Sequence, residues 1–359
     1  MKVAILGAGA GGAAAVAELT AAGHDVVLWN RSEATLAPFA ALGGVGYEGV
    51  LGEGLARPSL ITADLNAAIA GVQAAVVVLP TFLHAPVARA LAEAGWPDDL
   101  PVVLNPGHTG GALEFATAYA RVRPVLPPIA EFSTLTYVAR KYRPDRVTIT
   151  GRARSVRAGA LPGGDGALDA ACSLFPGAEK VPDVLAADLA NVNMVLHPPG
   201  AILAAGWVEA TKGDFTFYVD AMTPGIARVM RALDDERRAV ARAFGHDLPS
   251  LIDEMRRIGT VDNDSDDFAE AVSGGAANAR VKAPDSFAHR YYREDFGHGL
   301  LPFMDLAAIA GVETPVARSL FDLASAATGN DYRQGGRTAE AMGVAGLTRT
   351  QLLERVGAQ

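Results

Sequence analysis

The chain has one cysteine in 359 residues, Cys172. A single thiol forms neither an intrachain disulfide nor a multi-cysteine metal site, and no nucleophile motif surrounds it, so it reads as a small buried hydrophobe. Positive charge is also scarce: 31 Lys and Arg stand against 40 Asp and Glu, for a formal net charge of −9. That balance gives no general electrostatic pull towards nucleic acid or an anionic membrane surface. No apolar run has the length and continuity of a membrane span. The apolar residues at the N-terminus are interrupted by glycines and do not have the layout of a secretory signal. The expectation is a cytoplasmic protein with neither nucleic acid nor membrane as partner. The clustered Asp262, Asp264, Asp266 and Asp267 do not complete a calcium-loop spacing. They read as a solvated loop, and no metal is expected.

What is present is concentrated at the start. Lys2 to Leu6 is an apolar run, followed by Gly7-Ala8-Gly9-Ala10-Gly11-Gly12, an Ala-rich segment to Ala22, and a second apolar run, Val26 to Trp29. The pattern predicts strand, tight turn, helix, strand. Gly7, Gly9 and Gly12 fit the Gly-x-Gly-x-x-Gly spacing: the first permits the turn, the second clears room for a pyrophosphate, the third lets helix and strand pack closely. The helix N-terminus then offers free N–H groups to an anion. Gly7, Gly9, Ala10, Gly11 and Gly12 are the expected dinucleotide-binding residues.

Downstream, a helix and a glycine-rich stretch, Gly43 through Gly54, predict a loop near the ligand. Leu60–Thr62, Ala74–Leu79 and Pro101–Leu104 read as strands, alternating with helices over 65–70, 84–94 and 112–121. Such alternation predicts an α/β fold with a doubly wound parallel sheet, whose ligands lie beyond the carboxyl ends of the strands. Pro80 and Thr81 stand at one such end and the 105–111 loop at another. Residues 129–139, 146–150 and 156–161 read as strands that extend the sheet, partly antiparallel. From Pro182 the pattern is helical: 183–197, 199–211, 222–244, 247–258, 302–310 and 315–327. Two domains follow, a Rossmann-like dinucleotide-binding domain over 1–181 and an all-α substrate and catalytic domain over 182–359.

At the end of the second strand, where a carboxylate would accept from an adenosine 2′-hydroxyl, the chain has Asn30-Arg31-Ser32. Nothing there repels a 2′-phosphate; Arg31 can pair with it and Ser32 can donate to it. NADP is preferred, with NAD retained if Arg31 is an ordinary surface arginine and Asn30 bonds a ribose directly.

Among seven histidines, His24 and His246 fall in turns, while His84 and His108 lie near strand ends, where either can touch ligand. His197 stands apart, in Asn193-Met194-Val195-Leu196-His197-Pro198-Pro199. Asn193 shares a helix face with it, and the two prolines predict a helix break beside it. A polar pair at a kink in an apolar helix is a poor way to build a core, although a satisfied core histidine is the alternative. Further on, Arg290 and Asp295 can act together, one clamping a substrate carboxylate and the other orienting an imidazole. Arg293 and Glu294 read as surface charges.

Taken in order, these pieces resemble the octopine/nopaline (opine) dehydrogenase family over nearly the whole length. The resemblance rests on the N-terminal glycine motif, Leu104-Asn105-Pro106-Gly107 with Gly110 to Phe115, Ala130-Glu131 with Thr134 and Arg140, Asn193 with His197-Pro198, Arg290 with Glu294-Asp295, and the closing Leu300-Leu301-Pro302 and Gly311 to Pro315. It implies a Rossmann domain followed by a helical domain, a catalytic pair carried to His197 and Asp295, and a substrate carboxylate held by Arg290, with Asn193 alongside. It also implies reversible NAD(P)H-dependent condensation of an amino acid amine with a 2-oxo acid. The sequence leaves the oligomeric state open, with a homodimer as one candidate. One alternative is a reductase of simple 2-oxo acids, of the ketopantoate or glycerol-phosphate dehydrogenase type, for which Lys212 and Lys282 are available but lie in no matching motif. A non-catalytic dinucleotide sensor is the other.

Overall fold

The structure is a computed structural model that describes residues 1–358. The chain divides into two compact units, one made of Met1–Gly107 and Gly111–Val184, the other of His108–Gly110 and the chain from Leu185 onward. The tripeptide His108–Gly110, expected with the first domain, therefore packs with the second.

The first unit carries β1 (Lys2–Leu6), α1 (Ala10–Ala21), β2 (Asp25–Trp29), α2 (Glu33–Leu42), β3 (Val45–Gly49), β4 (Gly54–Ala56), β5 (Leu60–Thr62), α3 (Leu65–Ile69), β6 (Ala74–Val77), α4 (His84–Glu93), β7 (Val102–Leu104), α5 (Gly111–Ala120), β8 (Ile129–Phe132), β9 (Tyr137–Arg143), β10 (Arg146–Arg152), β11 (Val156–Ala160), α6 (Asp165–Leu174) and β12 (Ala178–Lys180). The large sheet has the order β12-β11-β8-β7-β6-β1-β2-β5. Its run β5-β2-β1-β6-β7-β8 is parallel throughout and is the doubly wound order, with the direction of winding reversing between β1 and β6. Val3 to Leu6 and Ala74 to Val77 are completely buried, as strands covered on both faces must be. The sheet is extended by β11, antiparallel to β8, and by β12.

Two expectations need correction. The glycine-rich 43–54 stretch is not a loop, because β3 and β4 form half of a second sheet of order β4-β3-β10-β9. A Cβ on Gly49, which has φ 117°, would lie 2.0 Å from the Ile149 carbonyl oxygen. That glycine marks close backbone approach by β10 rather than a flexible turn. Nor do all the later strands extend the large sheet. The 129–139 run splits, and β9 and β10 leave for the small one. At the split, Thr136 is pinned to Asn105, its N–H donating to Oδ1 at 3.2 Å and its hydroxyl accepting from Nδ2 at 2.9 Å. Helix α1 packs against both sheets, so Ala13 to Ala17 are buried consecutively, where a one-faced helix would alternate.

The second unit is helical: α7 (Val184–Asp188) at its start, then α8 (Val192–Leu203), α9 (Ala205–Thr211), α10 (Pro224–Ala243), α11 (Leu251–Ile258), α12 (Phe268–Ser273), α13 (Arg290–Asp295), α14 (Leu301–Ala310), α15 (Pro315–Thr328), α16 (Ala339–Met342) and α17 (Arg349–Val356). Here a third expectation fails: the chain breaks before Asn191, which caps α8 by accepting from Asn193 N–H, and the helix runs on through Pro198 and Pro199. Met194 to Ile202 are all buried, and that burial outweighs the two lost helical hydrogen bonds. Among the described residues, no helix is long and apolar enough to cross a membrane.

Candidate functional site

The glycine turn lies at the switch point. Leu6 pairs with Val77, so Gly7, at φ 129°, abuts the next strand's exit; a Cβ there would lie 2.2 Å from the Val78 carbonyl oxygen. A Cβ on Gly12 would lie 1.8 Å from the Gly7 carbonyl oxygen. Gly9 differs: a Cβ there would meet nothing within 4 Å. Gly9 is also the N-cap of α1, with no side-chain cap and no acidic residue in the first turn. Open space above uncapped N–H groups fits a pyrophosphate. Gly11 packs tightly against Leu135 and Val78, and Ala10 is half-buried beside it.

Asn30 fastens the end of β2 to this turn, its Oδ1 accepting from Ala8 N–H at 3.2 Å and its Nδ2 donating to the Ser32 carbonyl at 3.4 Å. Ser32 caps α2 by accepting from Thr35 N–H at 3.3 Å, which leaves its hydroxyl hydrogen to donate. Arg31 is exposed and makes no salt bridge among the described residues. Pro80 opens a 3-10 turn over Thr81–Leu83 and is partly exposed, whereas Thr81 is fully buried.

In the helical unit the sequence-predicted pair is brought together. His197 Nδ1 lies 2.8 Å from Asp295 Oδ2, with His197 5% and Asp295 3% exposed. His197 comes from the middle of α8. Asp295 closes α13, which His289 caps by accepting from Tyr291 N–H, and a π-helical turn over Phe296–Leu300 follows at once. Burial pushes the Asp295 carboxyl well above its ordinary range, the Glu294 carboxylate pushes the same way, and His108 and Arg290 oppose them. A carboxylate that basic pulls strongly on an imidazole N–H.

Arg290 bonds Glu294 through Nη1 at 3.2 Å, and its side chain is half exposed, so part of its donor fork faces outward. Glu294 is correspondingly buried, not the surface charge expected. Asn193 turns to His108, Nδ2 to Nε2 at 3.3 Å. Arg290 and His197 share a neighbour instead: Tyr291 stacks on His197 with ring centroids 3.9 Å apart, and Arg290 Cζ lies 5.6 Å from the same ring. The 108–110 tripeptide is held by Asp188, which accepts from Gly110 N–H at 2.7 Å, and by Arg337, which donates to the Thr109 carbonyl at 2.7 Å.

Sequence reasoning missed Tyr218, Phe217 and Tyr291, which surround the imidazole. Tyr218 Oη lies 2.7 Å from His197 Nε2. A signal existed: aromatics make up 7% of the chain, yet Phe215, Phe217 and Tyr218 fall within four residues.

Two family models match different parts of the chain. The description "NAD/NADP octopine/nopaline dehydrogenase, alpha-helical domain" matches residues 180–328, and "ketopantoate reductase PanE/ApbA" matches residues 3–94. An opine dehydrogenase of Arthrobacter sp. (strain 1C) is 32% identical over 347 residues, 96% of each chain. Octopine dehydrogenase in complex with NADH and agmatine shares the fold at a TM-score of 0.76 and 20% identity, covering 100% of this chain and 98% of that one. NADP+-bound yersinopine dehydrogenase does so at 0.71 and 17% identity, over 91% and 90%.

Proposed function

The chain belongs to the octopine/nopaline (opine) dehydrogenase family, and from that premise we infer how its own residues serve the reaction. It is a nicotinamide-dependent oxidoreductase that condenses the amine of an amino acid with a 2-oxo acid, reductively, to an N-(1-carboxyalkyl) amino acid. The 2.8 Å bond between His197 and Asp295 in a buried setting is the observation that supports the residue assignment best.

The amine attacks the 2-oxo carbon only as its free base, and the resulting carbinolamine must lose water to become an imine. His197 serves both steps, accepting the ammonium proton at Nε2 and returning one to the departing hydroxyl; a positioned acid/base of this kind contributes roughly 10²–10⁴-fold. Asp295 holds the Nδ1–H tautomer and stabilises the imidazolium. The outward part of the Arg290 fork clamps a substrate carboxylate, and Asn193, whose Nδ2 is turned to His108, keeps its amide oxygen to accept from substrate. Gly7, Gly9, Ala10, Gly11 and Gly12 cradle the pyrophosphate of the dinucleotide, with Asn30 and Pro80 bordering its site. When bound, the reduced nicotinamide supplies the hydride that reduces the imine carbon. Such a reductase draws on the cofactor pool of the cytoplasm, where we place it.

Arg31 and Ser32 favour NADP. One charge-assisted contact to a 2′-phosphate is worth about 1.5–3 kcal/mol, so Arg31→Ala is expected to raise KM for NADPH about tenfold or more while barely moving KM for NADH. An equal change in both would remove the preference.

The match to ketopantoate reductase over residues 3–94 favours one rival, direct reduction of a 2-oxo acid with a lysine as acid. Lys282 is an exposed partner of Asp214 at 2.8 Å, and Lys212 ends α9 in a left-handed conformation. Neither occupies the desolvated setting that tunes a lysine for acid–base work. The deciding experiment is a matrix of amino acids against 2-oxo acids with NADH and NADPH. Cofactor oxidation is expected only when both substrates are present; oxidation by a 2-oxo acid alone would establish the rival.

A further inference from the structure

Both ring nitrogens of His197 are engaged, Nδ1 by Asp295 Oδ2 at 2.8 Å and Nε2 by the Tyr218 hydroxyl at 2.7 Å. With Asp295 ionised as the counter-charge of the pair, its carboxylate only accepts, so Nδ1 carries the hydrogen, Nε2 presents its lone pair, and Tyr218 O–H donates to it. One face and an edge of the ring are covered as well. Tyr291 stacks on it at 3.9 Å, and Phe217 meets it edge-on at 5.9 Å between centroids. His197 and Tyr218 are each only 5% exposed. The basic lone pair is therefore screened by a phenol oxygen.

Tyr218 is also firmly placed. It follows a strap tied to residues 281–283: Phe217 N–H donates to the Val281 carbonyl at 2.8 Å, and Ala283 N–H donates to the Phe215 carbonyl at 3.0 Å. Asp220 Oδ2 accepts from both the N–H and the hydroxyl of Thr216 at 2.7 Å. On α8, Gly200 makes room for the adjacent ring, since a Cβ there would lie 2.7 Å from Phe217 Cζ.

We propose that Tyr218 is the proton relay between the substrate amine and His197, a role that rests on His197 being the base. As the ammonium N–H bond breaks, a new O–H bond forms on Tyr218; its original O–H bond breaks and an Nε2–H bond forms. The amine keeps its electron pair, Tyr218 stays neutral, and His197 becomes an imidazolium facing Asp295. Run backwards, the same exchange protonates the carbinolamine hydroxyl, which leaves as water. A hydroxyl suits this task because it donates and accepts at once.

The test is Tyr218→Phe, which keeps the ring and removes the oxygen, read by single-turnover rates in H2O/D2O mixtures with His197→Asn as a parallel arm. The expected result is a single-turnover rate lower by about 10²-fold, KM for both substrates changed less than about threefold, and a proton inventory that is curved in the native enzyme and linear in the variant. A variant as fast as or faster than the native enzyme, a rise in KM with the rate intact, or a curved inventory that survives the substitution would each overturn the relay. Inactivity of His197→Asn beside a normal Tyr218→Phe would refute the relay and leave the base standing. Full activity of His197→Asn would refute the base itself.

Discussion

Asp295→Asn is expected to lower kcat by about 10³–10⁴-fold, the scale at which a triad carboxylate acts when geometry is kept and the tautomer is lost. An amide that donates to Nδ1 forces the hydrogen onto Nε2, which then has no lone pair for a proton. An amide that accepts from Nδ1 keeps the tautomer but leaves the imidazolium without a counter-charge, and at 3% exposure water cannot replace it. Either orientation blocks the first proton transfer. His197→Asn should cost a similar factor, and the double variant no more than the worse single one, because groups that act as a unit are not additive. Stability should not follow activity. The Asp295 carboxyl is pushed up by burial, so replacing it with a neutral isostere removes a desolvation penalty, and the melting temperature should hold or rise. A kcat for Asp295→Asn within tenfold of native, in a folded protein, would exclude Asp295 from the machinery.

The parts of this molecule that were legible in the sequence are those whose cause is local. The glycine turn requires Gly7 and Gly12 because two backbones meet there, and spacing alone records that. The doubly wound order follows from apolar runs alternating with helices, and the helix expected over 65–70 forms as α3, capped by Asp64, which accepts from Asn66 and Ala67 N–H. The small sheet was hidden because its central pairing joins Gly46 to Arg146, far apart in sequence, and because its glycines imitate a loop. The break expected at Pro198 was misplaced because proline propensity is a local quantity, whereas α8 is held by burial along its length. At the candidate site, chemistry and a family resemblance together singled out His197, Asp295, Arg290 and Asn193. Tyr218 and Tyr291 escaped because an aromatic residue in a helical domain is ordinarily core, and only the fold shows which aromatic oxygen reaches an imidazole. The 108–110 tripeptide escaped for a related reason: its place in the helical unit depends on Asp188 and Arg337, which no local pattern links to it.

The helical unit should lose stability on mild acidification, and the sign follows from two buried histidines. Burial lowers His108 from its ordinary 6.5 to about 4, with Arg337 and His197 pushing the same way against Glu294 and Asp295. His298 falls to about 3 through burial and the nearby Arg337, although its ring bonds the Arg293 backbone. In the unfolded chain both titrate at their ordinary value, so between that value and the folded one the unfolded state binds more protons. Stability is then complete above about pH 6.5 and is lost as pH falls. At pH 5 each histidine lies about 1.5 units below its unfolded value and costs about 2 kcal/mol, about 4 kcal/mol for the two. Asp295, whose carboxyl is raised, works in the opposite sense and offsets part of this. Against a typical total of about 5–15 kcal/mol, the remaining loss is large. The measurement is the urea midpoint at pH 7 and pH 5, with His108→Asn as the informative variant. Asparagine tolerates the left-handed backbone at this position, where φ is 59°. It carries no titratable proton, so the acid-induced loss should shrink by about half. Equal midpoints at the two pH values in the native protein would show that these histidines accept protons without unfolding and would refute the prediction.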